Sequence, residues 1–309
     1  MMKKSYVTAP APLSSIFSPK IFYEDRRRDK VEEIGARGGG FTLSKGVETI
    51  VELFPEADDR VTVRVNGSET NFPTSIEAAE AARKLLNLGG EIRIDHRINV
   101  PLGTGFGTSA SAALTTLLAL FRMSGKGLTI REACRIVHEI EIKCKTGLNS
   151  EAGFLSEGLI LVLREGAPPR VRVDSIPIPH DSVVISVVAA SLDTSNLLKR
   201  IDRLKNIEEI GDKKLTQILR NPTPDNFLLK AREFASEAGL TTNKVEEIFE
   251  ELEKLPVIGY AQNMIGEACH ALALAKDAEI VAKNLVEVFP EYSVISSEVG
   301  GLIRTSLRF

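Results

Sequence analysis

A run of glycine and hydroxyl residues in the first half of the chain has the composition of a phosphate-binding loop. Gly103, Gly105 and Gly107 occupy alternate positions, and Thr108 and Ser109 follow directly. Glycine lets the backbone approach a ligand closely and adopt dihedral angles that other residues avoid. The segment after Ser109 is too apolar all round to form a surface helix. A buried helix that begins at such a loop presents free N–H groups to an anion.

The residues in and around this loop distinguish it from two familiar types of phosphate-binding loop. Residues 92–100 alternate apolar and polar side chains, which is the period of a half-buried strand. A P-loop has a lysine directly before its Ser/Thr, where this chain has Gly107, and a Rossmann turn has a third glycine where this chain has Thr108. The pattern predicts a phosphate-binding loop of another kind, with an ordinary glycine-rich turn as the alternative.

A second polar group follows on the next predicted helix. His138 and Glu141 are three residues apart and therefore share one face of that helix. A polar turn, residues 146–151, comes directly afterwards and directs further polar groups to the same place. Carboxylate and hydroxyl oxygens suit Mg²⁺, which favours a metal site. A solvated carboxylate and a hydrogen-bonded histidine without a ligand remain the alternative.

A second glycine-rich segment, residues 35–47, contains four glycines around Arg37, with Lys45 nearby. A hairpin alone would explain one or two of these glycines. The other interpretation is a backbone brought close to an anionic substrate, with the two cations beside it. The sequence leaves both interpretations open.

Composition limits the class of protein. The chain has 309 residues, of which 43% are apolar and 26% charged, so it can form two ordinary globular domains. Its net charge of −3 implies no general attraction to nucleic acid or to an anionic membrane. Three scattered cysteines are typical of reduced thiols, and no signal-type apolar core follows the first residues. We therefore expect a cytoplasmic protein.

Local patterns predict the elements of the first half. The proline-punctuated residues 6–22 indicate an edge strand and loop, and the charge run 24–33 a loop or short helix. Capping boxes at Thr74/Glu77 and Thr129/Glu132 predict helices that extend to about residue 88 and residue 144. Further strands are predicted at residues 49–54, 61–65 and 158–164.

The second half of the chain has a different order of predicted strands and helices. Strands are predicted at residues 183–190, 269–275, 292–295 and 302–306, and helices at 195–210, 213–220, 225–238, 244–254 and 277–289. This order fits a small α+β sandwich of the ferredoxin type. The Gly-Ala-Pro-Pro run at residues 166–169 predicts the boundary between domains 1–168 and 169–309.

The central loop resembles the second motif of the GHMP kinase superfamily, Pro-x-x-x-Gly-Leu-Gly-Ser-Ser-Ala. The matching residues of this chain are Pro101, Gly105, Phe106, Gly107, Thr108, Ser109 and Ala110. The resemblance implies a two-domain α+β fold, with an N-terminal α/β domain like ribosomal protein S5 and a C-terminal ferredoxin-like sandwich. It also implies that the loop, Gly103 included, wraps the phosphates of ATP and that Ser109 lies at the magnesium and γ-phosphate.

Within this superfamily the chain is most similar to the archaeal pantoate kinases. The similarity lies in residues 36–47, in His138-x-x-Glu141, in the turn 146–150, and in residues 262–268, which resemble a degenerate third motif that packs on the phosphate site. It implies that Glu141 is a magnesium ligand and His138 a substrate contact. Arg37 and Lys45 suit a substrate that carries a carboxylate.

The chain departs from that family at three positions. The family's catalytic aspartate falls on Ser150, with Glu151 one residue later, and the serine before Arg37 is Ala36. An arginine of the following strand is matched only by Arg164, two residues further on. The predicted catalytic residues are therefore Ser109, Glu141, Glu151 and Ser150. Glu151 is either a base or a turn residue in a site that works by positioning alone.

The predicted function is an ATP- and Mg²⁺-dependent kinase that phosphorylates the hydroxyl of (R)-pantoate to 4-phosphopantoate for coenzyme A biosynthesis. The substrate site is predicted to contain Arg37, Lys45, His138 and Arg164. A mevalonate- or homoserine-type kinase and a non-catalytic nucleotide-binding sensor are the alternatives. The predicted partner is a small hydroxy acid, not nucleic acid or a membrane, and a homodimer is left open.

Overall fold

The computed structural model describes residues 2–23, 26–190 and 201–308. Its strands are β1 (Lys3–Lys20), β2 (Phe22–Tyr23), β3 (Arg26–Arg27), β4 (Gly35–Phe54), β5 (Arg60–Val65), β6 (Ser68–Glu69), β7 (Glu91–Ile98), β8 (Leu159–Arg164), β9 (Arg172–Ile176), β10 (Ser182–Ala190), β11 (Gly259–Gln262), β12 (Glu267–Leu274), β13 (Ser293–Glu298) and β14 (Arg304–Arg308). Its α-helices are α1 (Pro73–Leu86), α2 (Thr108–Met123), α3 (Ile130–Cys144), α4 (Ile201–Arg220), α5 (Pro224–Glu237), α6 (Asn243–Leu252) and α7 (Ala275–Val288). Short 3₁₀ helices lie at Val31–Glu33 and Ser150–Phe154.

The larger sheet is organised around two long antiparallel strands, β1 and β4. The order along the sheet is β14-β1-β4-β7-β5-β6, and β8 and β9 extend from the first part of β4. The prediction of an edge strand and loop at residues 6–22 is confirmed in part. Residues 4–8 pair with both β14 and β4, residues 9–20 pair with β4 alone among the described strands, and strand continues where a loop was predicted. Pro10, Pro12 and Pro19 all lie in the part that pairs with β4 alone, where proline is tolerated because one side of the strand has no ladder partner. Register shifts interrupt the pairing with β4 at Pro10/Ala11 and Ser14/Ile16.

The glycine-rich segment 35–47 is the first part of β4 and not a hairpin. A Cβ atom on Gly40 would lie 1.9 Å from the carbonyl oxygen of Leu13 on β1. One on Gly38 would lie 2.2 Å from that of Ile16. The two paired strands lie so close together here that a side chain does not fit between them. This accounts for glycine at these two positions.

Helices α1, α2 and α3 pack together, and α2 lies against β1 and β4. The prediction of a buried helix after the central loop is confirmed, since nearly every residue of α2 is buried. The capping box of α3 is present as predicted, with Thr129 and Glu132 bonded reciprocally. The predicted capping box of α1 is wrong. Pro73 begins that helix one residue earlier, and the Thr74 hydroxyl donates to the carbonyl oxygen of Ser109 instead.

The smaller sheet has the strand order β11-β12-β10-β13 and is antiparallel throughout. Together with α6 and α7, which share a hydrophobic core with it, this is the predicted ferredoxin-like arrangement. Three details differ from the sequence prediction. The short strand β11 was not predicted, and β14 pairs with β1 in the larger sheet instead of joining the sandwich. Residues 201–220 form one helix where two were predicted, and residues 195–200 of that prediction lie outside the described residues.

One hydrophobic core connects the two halves of the molecule. It contains residues of β1, β4 and α2 as well as Ile207 and Leu215 of α4 and Phe227 and Phe234 of α5. The domain boundary at residue 168 stays a prediction, and β9 and β14, which both follow it, belong to the larger sheet. None of the helices among the described residues is long and apolar enough to cross a membrane.

Candidate active site

A single pocket brings together the segments that the sequence singled out. The central loop, the start of β4, the turn after α3 and the turn between β11 and β12 all border it. Its lining residues are Pro12, Leu13, Ser14, Ile16, Phe17, Ala36, Arg37, Gly38, Gly39, Gly40, Gly103, Thr104, Gly105, Phe106, Gly107, Thr108, Ser109, Thr146, Gly147, Leu148, Asn149, Ser150, Gly153, Ile160, Val162, Met264 and Ile265. We call the part formed by residues 103–109 the glycine end. Glu141 is not part of the lining but is hydrogen-bonded to Ser109 at this end. The part formed by Arg37 and the apolar side chains Ile16, Phe17, Ile160 and Val162 is the arginine end.

The glycine end is shaped by backbone conformations that only glycine adopts easily. Gly105 has φ +83° and Gly107 has φ +56°, both in the left-handed region. A Cβ atom on Gly105 would lie 2.9 Å from the carbonyl oxygen of Met264, and one on Gly107 would lie 2.6 Å from the Pro12 ring. Helix α2 begins directly after Gly107, at Thr108. The unpaired N–H groups of its first turn and its positive dipole end therefore suit an anion.

A buried chain of hydrogen bonds fixes this loop to the smaller sheet. Nδ2 of Asn263 donates to the carbonyl oxygen of Thr104 at 3.0 Å, and Nδ1 of His270 lies 2.8 Å from Oδ1 of Asn263. Nε2 of His270 lies 2.9 Å from the Ser15 hydroxyl on β1. Burial lowers the pKa of His270 to about 3, so the ring is neutral and Nε2 accepts from Ser15. The third motif, residues 262–268, thus packs on the loop as the resemblance implied.

Ser109 and Glu141 meet at the glycine end. The Ser109 hydroxyl donates to Oε1 of Glu141 at 2.7 Å, and the Thr146 hydroxyl lies 3.4 Å from the same oxygen. Glu141 is 1% exposed, and its Oε2 has no hydrogen-bond partner among the described residues. Burial, reinforced by the negative charge of Glu151, raises the pKa of Glu141 to about 7. A buried carboxylate with an unpartnered oxygen is an arrangement that a cation would complete.

The donor set at this point fits Mg²⁺ better than a transition metal. It consists of a carboxylate and hydroxyl oxygens, which are hard ligands. Among the residues that the structure describes, no group of three or more His, Cys, Asp or Glu could hold a metal. Mg²⁺ commonly takes one or two carboxylates from the protein and its other ligands from phosphates and water. Ser109 and Glu141 are therefore the residues that would hold it here.

His138 and Glu151 form a buried pair on the interior side of the same region. Both side chains are 0% exposed, and Nδ1 of His138 lies 2.8 Å from Oε1 of Glu151. Nε2 of His138 donates to the carbonyl oxygen of Val31 at 3.2 Å. Burial disfavours the charged ring, but the hydrogen bond and charge of Glu151 outweigh it and raise the pKa of His138. Neither residue is among the described residues that line the pocket.

Asn149 is a structural residue that the sequence analysis missed. Its Oδ1 accepts from the N–H groups of Ala36 at 3.0 Å and Gly166 at 2.9 Å. Its Nδ2 donates to Gly166 O at 2.8 Å and to Oε1 of Glu151 at 3.0 Å. Asn149 has φ +73°, and asparagine is one of the few residues that tolerate this conformation. That preference is the signal by which an Asn in a polar turn could have been found.

The arginine end contains one of the predicted substrate residues. Arg37 is the sole charged side chain among the described residues that line the pocket, and four apolar residues surround this end. Lys45 and Arg164 are exposed and lie outside the lining. The N–H group of Lys45 donates to the Ser297 hydroxyl at 3.1 Å. Arg37 in turn donates to Asp212 of α4, a partner that the sequence analysis did not identify.

Comparison with known proteins gives matches that extend over the whole pocket. Residues 74–154 match the model of the GHMP kinases N terminal domain. The chain is 31% identical over 292 residues to a pantoate kinase of Thermococcus kodakarensis, with 92% of this chain and 93% of that protein covered. It is 28% identical over 298 residues to a pantoate kinase of Methanospirillum hungatei, with 93% and 94% covered. A solved structure described as a phosphotransferase related to the CoA biosynthesis pathway superposes with a TM-score of 0.82 at 27% identity, covering 100% of this chain and 99% of that one.

Proposed function

This chain belongs to the pantoate kinase family of GHMP kinases, and we propose that it transfers a phosphoryl group from ATP to the hydroxyl of (R)-pantoate, giving 4-phosphopantoate for coenzyme A biosynthesis. One observation carries the proposal beyond the family. A single pocket joins an anion-binding helix start, at the glycine end, to one arginine among apolar side chains, at the arginine end. The first feature suits the phosphates of ATP, and the second suits a small branched hydroxy acid.

At the glycine end, the backbone N–H groups of residues 105–109 bind and orient the phosphates of ATP. Ser109 and Glu141 would hold Mg²⁺, which would supply positive charge against the transferring phosphoryl group. The hydrogen bond between these two side chains holds their oxygens close together before the nucleotide binds. The protein therefore contributes chiefly position and charge, which is what phosphoryl transfer requires.

At the arginine end, the guanidinium of Arg37 binds the carboxylate of the acceptor. The side chains of Ile16, Phe17, Ile160 and Val162 contact its apolar part. (R)-Pantoate carries two methyl groups on the carbon next to its hydroxymethyl group, so an apolar wall complements it. Mevalonate and homoserine lack this pair of methyl groups. The apolar wall is therefore the feature that favours pantoate over those two acceptors.

Glu151 acts in this proposal as a structural partner of His138 and Asn149 and not as a base. Its Oε1 is already bonded to both residues, and its side chain is fully buried. Ser150 lines the pocket at the position of the family's aspartate. A transition state that resembles metaphosphate places little demand on a base, so transfer proceeds by positioning. The substrate contacts predicted at His138, Lys45 and Arg164 have no part in it, and we place the reaction in the cytoplasm, where ATP and the acid are available.

The proposal is tested by offering the purified chain ATP and Mg²⁺ with pantoate, homoserine or mevalonate in parallel. ADP release and the mass of the phosphorylated product are measured for each acceptor. We expect turnover with pantoate and product at the mass of phosphopantoate, with little turnover of the other two acids. Preferred turnover of either other acid would reject the acceptor assignment. ATP binding without turnover of any acceptor would support the nucleotide-binding sensor.

A further inference from the structure

A carboxylate from the second half of the chain holds Arg37 at the arginine end. Nη2 of Arg37 donates to Oδ1 of Asp212 on α4. The Ser18 hydroxyl donates to the same oxygen at 2.7 Å, and Nζ of Lys20 donates to Oδ2 at 2.6 Å. Donors from β1 and β4 thus converge on one side chain. Burial acts to raise the pKa of Asp212, but the hydrogen bonds from Lys20, Ser18 and Arg37 outweigh it and lower that pKa.

The backbone of α4 is shaped to bring Asp212 to this position. Gly211 lies in the interior of the helix, where glycine is among the least favourable residues. A Cβ atom on Gly211 would lie 2.6 Å from the carbonyl oxygen of Phe17. The helix therefore contacts β1 directly through its backbone at the pocket wall. This contact sets the next residue, Asp212, within hydrogen-bond distance of Ser18.

The charges around Arg37 leave part of its guanidinium available. Lys20 is also bonded to Glu208, one turn before Asp212, at 2.7 Å. The two cations, Lys20 and Arg37, therefore balance the two carboxylates. Asp212 engages only Nη2 of Arg37, and a guanidinium has five N–H donors. The Arg37 side chain is 33% exposed and lines the pocket, so guanidinium donors that Asp212 does not engage face the pocket. A carboxylate bound there would accept from them.

We propose that Asp212 is a positioning residue for acceptor recognition. It fixes one edge of the Arg37 guanidinium so that the remaining donors meet the carboxylate of the hydroxy acid. This inference rests on the proposed function. A free arginine has many rotamers, and fixing it before the acid binds removes the entropy cost of ordering it during binding. Asp212 thereby makes the affinity for the acid depend on α4, although no atom of Asp212 itself has to contact the substrate.

The test compares Asp212→Asn with the unaltered chain in steady-state kinetics with pantoate and ATP. We expect KM for pantoate to rise about tenfold, while kcat and KM for ATP stay within about twofold. In the Arg37→Gln background the same substitution should have little further effect, because both substitutions disrupt the same Arg37–Asp212 pair. With the primary amide of pantoate as acceptor, which has no carboxylate, the unaltered chain and Asp212→Asn should give the same KM.

Glu237→Gln is the matched control. Glu237 lies on α5 and pairs with Lys214, which is on α4 like Asp212 but outside the pocket lining. The substitution weakens this ion pair and should leave both KM values unchanged. Melting temperatures are recorded for both variants. Asp212→Glu, which keeps the charge but moves the carboxylate, should give a smaller rise in KM for pantoate and provides a second variant if Asp212→Asn does not fold.

Three results would overturn the proposal. An unchanged KM for pantoate in a folded Asp212→Asn variant would show that Arg37 needs no support. A lower KM would show that Asp212 competes with the acid for Arg37. Equal rises in both KM values would make Asp212 a general structural residue that fastens α4 to β1. If the unaltered chain does not phosphorylate pantoate at all, the proposed function fails first, and this inference falls with it.

Discussion

At the glycine end the pocket is lined by seven consecutive residues, 103–109, whereas at the arginine end the lining side chains come from β1, β4 and β8. The first surface depends on backbone conformation and a helix start. The second depends on packing and on one ion pair that joins β4 to α4. The proposed function therefore assigns affinity for the nucleotide and affinity for the acid to separate parts of the chain. Substitutions should therefore change one affinity without the other.

The two ends also differ in how they handle charge. Glu141 at the glycine end is almost fully buried, and no cation among the described residues pairs with it. Arg37 and Asp212 at the arginine end are each about one-third exposed and pair with each other. In the proposed function Mg²⁺ would supply the missing positive charge at the glycine end, whereas the arginine end already contains an ion pair before the acid binds. The predictions below test this division from the largest expected effect to the smallest.

Removing the oxygen ligands should have the largest effect. Glu141→Gln or Ser109→Ala is expected to lower kcat by roughly 10²-fold or more, because a fixed group that stabilises transition-state charge is lost. The effect of the double variant should be smaller than the product of the two single effects, since both side chains serve one ion. Glu139→Gln is the control, because Glu139 is exposed on the same helix and pairs with Arg135. Near-normal kcat in Glu141→Gln would remove Glu141 from the metal site.

Substitution of the loop should affect the nucleotide alone. Gly105→Ala is expected to raise KM for ATP at least about tenfold and to leave KM for pantoate within about twofold. The reason is the contact of the new Cβ with Met264 in addition to the strain of a positive φ. Gly125→Ala is the matched control, since Gly125 has φ +75° and open space at its Cβ position. Equal effects of the two substitutions on KM for ATP would attribute the change to strain and not to the loop.

Acid should weaken the fold through two buried histidines. Burial lowers the pKa of His270 to about 3 and that of His96 to about 4, from an ordinary 6.5. Each contributes stability that is present above pH 6.5 and is lost as the pH falls towards the folded-state pKa. Between pH 6.5 and the folded-state pKa, the free energy of unfolding should therefore decrease by about 1.4 kcal/mol per pH unit for each histidine. Urea titrations of the unaltered chain and of His270→Gln over this range would check it, and an identical slope in the two would contradict the assignment.

Glu151→Gln should have the smallest effect on catalysis. The variant keeps the shape of a side chain that bonds His138 and Asn149, so we expect kcat to change less than about threefold, while the free energy of unfolding falls by roughly 1–3 kcal/mol. Ser150→Ala should be mild in both respects. A decrease in kcat of about 10²–10⁴-fold with an unchanged melting temperature would instead make Glu151 the base.

The sequence predicts the structure of the glycine end better than that of the arginine end. The loop 103–109 and the buried helix after it follow from local spacing, because consecutive residues define them. Ser109 and Glu141 lie on two different helices, and the sequence linked them only through the family resemblance. Arg37 was predicted as a substrate residue, but its partner Asp212 lies 175 positions away and depends on the packing of α4. The exposed positions of Lys45 and Arg164 and the buried pair of His138 with Glu151 likewise depend on tertiary packing.

Secondary structure shows the same limit. The capping box of α3 was predicted, whereas that of α1 was not formed because Pro73 starts the helix first. The long strand β1 was predicted as an edge because prolines usually mark one. The prolines do lie in the part that pairs with β4 alone, but the pairing of residues 4–8 with β14, which is about 300 positions away, leaves no local sequence signal.

The most direct test of the central claim is the effect of Arg37→Gln on the two KM values, measured with pantoate and ATP under identical conditions. The variant removes the sole charge among the described residues of the pocket lining and leaves the loop untouched. We predict that KM for pantoate rises about 10–100-fold, the loss of one charge-assisted interaction, while KM for ATP stays within about twofold. An unchanged KM for pantoate, or a rise of equal size in both values, would contradict the separation of the two ends.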